Sequence, residues 1–80
     1  MSPVVLITGT SSGIGLATAI QAQQAGYRVV ATMRDTSRAD DRLKGMDVRR
    51  LDVTDPESVA SVVESVVRDH GRLDALVNNA

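Results

Sequence analysis

Val4-Val5-Leu6-Ile7-Thr8-Gly9-Thr10-Ser11-Ser12-Gly13-Ile14-Gly15 is an apolar run that feeds directly into a glycine-rich turn and from there into a helix-forming stretch. A short β-branched strand, glycines spaced G-x-x-x-G-x-G and a helix start, in that order, make an arrangement that holds phosphate. Glycine lets the backbone turn sharply and approach a ligand, while the first free N–H groups and the positive dipole end of the following helix point at an anion. Ser11 and Ser12 add hydroxyl donors. The candidate phosphate-binding residues are therefore Gly9, Ser11, Ser12, Gly13, Ile14 and Gly15. The spacing differs from the general G-x-G-x-x-G dinucleotide fingerprint, so the reading depends on matching elements elsewhere in the chain.

Working outward, the runs Val4 to Ile7, Val29 to Met33, Val48 to Leu51 and Ala75 to Val77 are short and rich in β-branched residues. They fit strands buried on both faces of a parallel sheet. Between the first two lies Ile14 to Ala25, rich in Ala, Leu, Ile and Gln, which favours helix and is closed by Gly26. A later helix has clear punctuation: Asp55 caps it, Pro56 takes its first position and Gly71 stops it. Within it Val59, Val62, Val63, Val66 and Val67 fall at i, i+3, i+4, i+7 and i+8, a valine stripe turned to the sheet. Asp35 to Asp47 crowds charges of both signs ahead of Gly45 and reads as a loop with a short helix.

The sum is α/β, a βαβαβαβ chain, for which the right-handed crossover rule leaves a doubly wound, Rossmann-like parallel sheet of order 3-2-1-4. In that order the chain reverses direction between strands one and four, and a ligand belongs in the crevice at their C-terminal ends, where the glycine turn lies. Residues 1–80 read as one domain, without repeat, low-complexity tract or linker.

Composition removes several function classes. A net charge of −1 and one aromatic residue in 80, Tyr27, leave neither the electrostatic footprint nor the stacking platform of a nucleic-acid binder. Zero cysteines exclude a disulfide framework and a thiolate metal site. Met1-Ser2-Pro3 offers no basic n-region, and the apolar run behind it ends at Gly9, too short for a signal h-region or a membrane span. The expectation is a soluble, cytoplasmic protein with no membrane, nucleic-acid or metal partner.

These motifs together resemble the short-chain dehydrogenase/reductase family, and the resemblance runs from Val4 to Ala80. Thr8-Gly9-Thr10-Ser11-Ser12-Gly13-Ile14-Gly15 matches the family's T-G-x-x-x-G-x-G turn, in the form found in its compact single-domain branch. Leu51-Asp52-Val53-Thr54-Asp55 matches the segment after strand three, and Asn78-Asn79-Ala80 matches the start of N-N-A-G. The resemblance implies an NAD(P)-dependent oxidoreductase acting on alcohols or carbonyls rather than a sugar-nucleotide epimerase. It places Asp52 against the adenine ring with Val53 beside it, and Asn78, Asn79 and Ala80 at the strand-four exit near the adenosine ribose. A carboxylate such as Asp52 can accept from an exocyclic amine, and Asp52 to Asp55 also reads as a turn and helix cap.

Cofactor choice turns on Thr32-Met33-Arg34-Asp35. NAD-preferring relatives tend to carry an acid where Met33 stands, and NADP-preferring ones a base where Arg34 stands. Arg34 can pair bidentately with a 2′-phosphate, which favours NADP(H) over NAD(H), while Asp35 leaves room for a ribose contact. The run Val29 to Asp35 is also similar to its counterpart in some hydroxysteroid and retinol dehydrogenases and hints at a bulky hydrophobic alcohol or ketone.

The family's chemistry uses a tyrosine, a lysine four residues later and a serine, none of which this chain supplies. Ala31 stands four residues after Tyr27, so Tyr27 is expected to pack at the entry to strand two and no catalytic residue is assigned. His70 reads as a helix C-terminal residue favoured by the dipole. Ser11 and Ser12 lack the elbow and histidine partner of a nucleophile. The sequence stops one residue before the glycine of N-N-A-G. The expectation is the cofactor half of a longer enzyme, inactive alone, with strand four an uncovered edge and a tendency to homo-oligomerise. The competing reading is a non-catalytic nucleotide-binding or assembly module.

Overall fold

Alternation decides which side of the sheet each strand residue serves, and two apolar clusters result. The computed structural model describes residues 2–79. Strand β1 (Val4–Ile7) is followed by helix α1 (Gly13–Gln24), β2 (Arg28–Met33), β3 (Asp47–Arg50), helix α2 (Pro56–His70) and β4 (Ala75–Val77). All strand pairs are parallel and the order is β3-β2-β1-β4, with Val5 opposite Val29 on one side and Ala75 on the other. This is the expected Rossmann-like sheet. Val5, Ile7, Val29, Ala31 and Met33 point to one face and pack with Leu16 and Ala19 of α1. Val4, Leu6 and Val30 point to the other and pack with Leu51, just after β3, and with Val66 of α2. The central strands are buried on both faces, whereas β3 and β4 are half-buried or exposed, and β4 leaves one edge uncovered.

Helix α2 begins and ends where its punctuation indicates. The Asp55 carboxylate accepts from the Glu57 N–H at 3.0 Å, Pro56 occupies the first turn, and Gly71 at φ 79° donates to the Val67 carbonyl at 2.8 Å. Val66 is fully buried and Val59, Val62 and Val63 pack beside it, but Val67 is 45 % exposed. Helical geometry explains the difference, since Val67 lies about 80° around the axis from Val59, at the limit of the stripe.

The β2–β3 crossover holds no α-helix. Its helical content is two short 3-10 turns, Thr36–Arg38 and Asp41–Leu43. Asp35 and Asp40 accept from the N–H two residues on, at 3.0 and 2.8 Å, which favours tight turns over a continuous helix. Leu43, 1 % exposed, fills the α1 side of the core from the second turn. Tyr27 differs from expectation: it is 40 % exposed, because burial along this segment begins only at Val29. His70 does end α2, and its Nε2 also lies 2.8 Å from Asp47 Oδ2 at the start of β3. Among the described residues no helix is long and apolar enough to cross a membrane, and no cluster of His, Cys, Asp or Glu is arranged to hold a metal.

Candidate functional site

The turn after β1 is fixed by its neighbours before any ligand is considered. Thr8 donates its N–H to the Val77 carbonyl at 3.0 Å and its hydroxyl to Asn78 Oδ1 at 3.1 Å, and accepts from the Asn79 N–H at 2.8 Å. On the other side both the N–H and the hydroxyl of Thr10 reach the Thr32 carbonyl at 3.1 Å, and the Thr32 hydroxyl donates to the Ile7 carbonyl at 2.8 Å. All three threonines are buried. They bolt the turn to β4 and β2 and were not singled out from the sequence, where a threonine at a strand end reads as an ordinary β-branched residue. Thr8 and Thr10 flanking Gly9 were the available signal.

The three glycines have different duties. Gly9 sits at φ 66°, and a Cβ there would stand 3.1 Å from the Asn79 carbonyl oxygen. A Cβ on Gly15 would overlap the Gly9 carbonyl oxygen and stand 2.6 Å from Asn79 Nδ2, so Gly15 lets α1 close onto the strand end. Gly13 has open space and is demanded by its φ of 63° alone. Asn79 thus wedges against the glycine turn.

The N-terminus of α1 is left open. Ser12 makes no side-chain cap and the first turn holds no acid, in contrast to α2, which Asp55 and Glu57 close. Ser12, Gly13 and Ile14 are exposed there. Orphan N–H groups with a positive dipole end and no resident carboxylate suit an anionic ligand.

Beside this turn, at the C-terminal ends of β1, β2 and β3, lies a cleft of about 640 Å³. Of the residues predicted from sequence, Gly9, Ser11, Arg34, Asp52 and Val53 line it. Ser12, Gly13 and Ile14 stand outside its lining on the same turn, Gly15 is buried behind, and Asn78 and Asn79 lie one strand over, joined through Thr8. Ala80 lies outside the described residues. Met33 and Leu51 add apolar wall; Asp35, for which the sequence leaves room for a ribose contact, adds charge, as does Arg38, to which the sequence assigns no role.

Both acids of the cleft are held by their own turns. Asp52 Oδ1 accepts the Thr54 hydroxyl at 2.6 Å and N–H at 3.0 Å, which hold its carboxyl below the ordinary carboxylate range. Asp35 Oδ1 is bound in the same way by the Ser37 hydroxyl at 2.6 Å and N–H at 3.0 Å, with the same effect. The cations are freer: Arg34 is exposed and makes no ion pair among the described residues, and Arg38 reaches Asp35 at 3.8 Å. An apolar slot of Met33, Leu51 and Val53 beside two arginines and an open helix start can accept a flat ring carrying phosphates.

Known proteins are similar to this chain in sequence and in fold. Similar proteins include the NADPH-dependent 1-acyldihydroxyacetone phosphate reductase of Schizosaccharomyces pombe, 46 % identical over 95 % of this chain and 27 % of that protein. The 3-oxoacyl-acyl-carrier-protein reductase of Thermotoga maritima is 42 % identical over 96 % of this chain and 34 % of its own length. Among solved structures, an actinorhodin polyketide ketoreductase with NADPH superposes with a TM-score of 0.87 at 36 % identity, over 99 % of this chain and 33 % of that one. The chain therefore spans about a third of the length of these relatives. The cleft lies over β1, β2 and β3 rather than in the β1–β4 crevice expected from the strand order, because the side chains after β2 and β3 form its wall. The short chain dehydrogenase model matches residues 3–80, and with the glycine turn and the sheet order in agreement, the chain belongs to the short-chain dehydrogenase family.

Proposed function

We propose that the cleft takes the adenosine end of NADP(H) and the α1 turn its pyrophosphate, in a protein that interconverts an alcohol and a ketone or aldehyde. The observation that carries this reading is the pairing of an uncapped, acid-free α1 N-terminus with an adjoining cleft whose arginines lack a close ion pair. The cofactor fits the residues present. Gly9 and Gly15 keep side chains out of the turn, so the N–H groups from Ser11 to Ile14 are available to pyrophosphate oxygens. Met33, Leu51 and Val53 offer apolar surface to the adenine, and Asp52, whose Oδ2 is not used by Thr54, can accept from its amino group. Asn78 and Asn79 are assigned to the ribose side, with Asn79 held by Thr8.

When bound, the nicotinamide supplies or receives the hydride exchanged with the oxygen-bearing carbon. This chain's part is binding and orientation. Tyr27 precedes β2 and so lies at the N-terminal edge of the parallel sheet, away from the cleft, and no other tyrosine exists to act as proton donor. The chain on its own is accordingly a binder without turnover. A preference for NADP(H) is supported by Arg34 in the cleft and by the NADPH named for the fission-yeast reductase and the ketoreductase. Titrating the chain with NADPH and NADH tests it. Arg34→Ala should weaken NADPH by roughly tenfold to a hundredfold, the worth of a charge-assisted contact, and leave NADH within a factor of two. Equal loss for both cofactors would reject the assignment.

A further inference from the structure

The β2–β3 crossover returns a second arginine to the cleft that Arg34 enters. After Arg34 the chain makes a 3-10 turn over Thr36–Arg38, and that tight turn brings Arg38, four residues on, to line the same cavity. Arg38 is highly exposed, and its Nε is 3.8 Å from Asp35 Oδ2, a long pair in solvent. Asp35, the acid between the two arginines in sequence, has its Oδ1 occupied by the Ser37 hydroxyl and N–H. The geometry points to Arg38 as a second specificity-determining residue, acting with Arg34 on a phosphomonoester at the ribose 2′ position, and to Asp35 as the acid that sets the turn and limits the affinity.

This role presupposes that the cleft is an adenosine site, and it follows from charge placement within it. A 2′-phosphate carries close to two negative charges at neutral pH, more than one guanidinium neutralises. Two arginines on one wall fit that demand; a ribose with a free 2′-hydroxyl has no use for the second. Asp35 opposes the phosphate electrostatically, but its bond to the Ser37 N–H builds the turn that delivers Arg38. Asparagine can keep that bond through its amide oxygen while removing the charge, which separates the two effects.

The test compares adenosine 2′,5′-bisphosphate with AMP, ligands that differ in the 2′-phosphate alone, by calorimetric titration of the full chain and its Arg34→Ala, Arg38→Ala and Asp35→Asn variants. Arg38→Ala should weaken the bisphosphate by about three- to tenfold, the effect of an exposed but phosphate-directed cation, with AMP unchanged. Asp35→Asn should tighten the bisphosphate by a few-fold, again without effect on AMP. If Arg38→Ala leaves the preference intact while Arg34→Ala abolishes it, Arg38 has no such role and the adenosine reading stands. Equal weakening of both ligands by Arg38→Ala would make the residue a turn-former and overturn the inference. If neither arginine variant alters the preference, the assignment of the 2′-phosphate to this wall fails altogether.

Discussion

Gly15 concentrates the steric demand of the nucleotide turn. Glycine spacing is legible in sequence, but the division of labour is not, because it depends on how close α1 comes to the end of β1. Gly13 needs only its left-handed backbone, whereas any side chain at Gly15 meets the Gly9 carbonyl and the Asn79 amide. Gly15→Ala should therefore destabilise the fold by about 1–3 kcal/mol, as overpacking does, and also weaken dinucleotide binding by displacing the turn. Urea unfolding and a cofactor titration on the same variant would measure both, and wild-type stability would show that α1 has room to move. The threonines were equally hidden. Thr10→Val keeps the shape at a fully buried position but removes the hydroxyl bond to the Thr32 carbonyl, for an expected loss of about 1 kcal/mol in the same assay.

At the scale of elements, legibility followed punctuation. Asp55, Pro56, the valine spacing and Gly71 mark α2 independently, and the helix spans Pro56–His70. Asp35 to Asp47 carried charges and one glycine but no period, so a short helix was the natural expectation there. Its two 3-10 turns follow from Asp35 and Asp40 bonding to their own backbone, and its fully buried anchor is Leu43, with Ala39 and Met46 half-buried against the same cluster. For the same reason Arg38 is not legible as a cleft residue in sequence: a position four after Arg34 converges on it only if the intervening chain is tightly wound. Leu43→Ala removes a side chain 1 % exposed from the α1-side cluster and should cost about 2–4 kcal/mol. Because the same crossover carries Arg38, hydrogen exchange of residues 36–44 should rise with that loss more than exchange in β1, and uniform loosening would argue against local control of the crossover.

The molecule as a whole is tied at its periphery by carboxylates, which gives its stability a defined response to acid. Asp47 at the start of β3 binds Arg49 through two hydrogen bonds of 2.9 and 2.7 Å, and Arg49 in turn reaches Ser65 at 2.8 Å and Asp69 at 2.9 Å on α2. His70 closes the same cluster on Asp47, so the outer strand and the end of α2 share one polar junction. Asp74 serves β1, accepting the Val4 N–H at 2.8 Å while Arg72 grips it. Arg49 first and His70 next hold the Asp47 carboxyl below its ordinary 3.8, and Arg72 does the same for Asp74. A carboxylate whose folded pKa lies below the unfolded one binds fewer protons when folded. Its contribution is complete above the unfolded value and disappears as pH falls through the folded one. Stability should therefore be flat on this account from neutrality down to about pH 5 and decline below about pH 4. Asp47→Asn removes one source of that decline, so the difference in urea midpoint between pH 7 and pH 3 should be smaller in the variant than in the wild type. An undiminished difference would shift the acid response to Asp74 and the other paired carboxylates, and the β3–α2 junction would then contribute through packing alone.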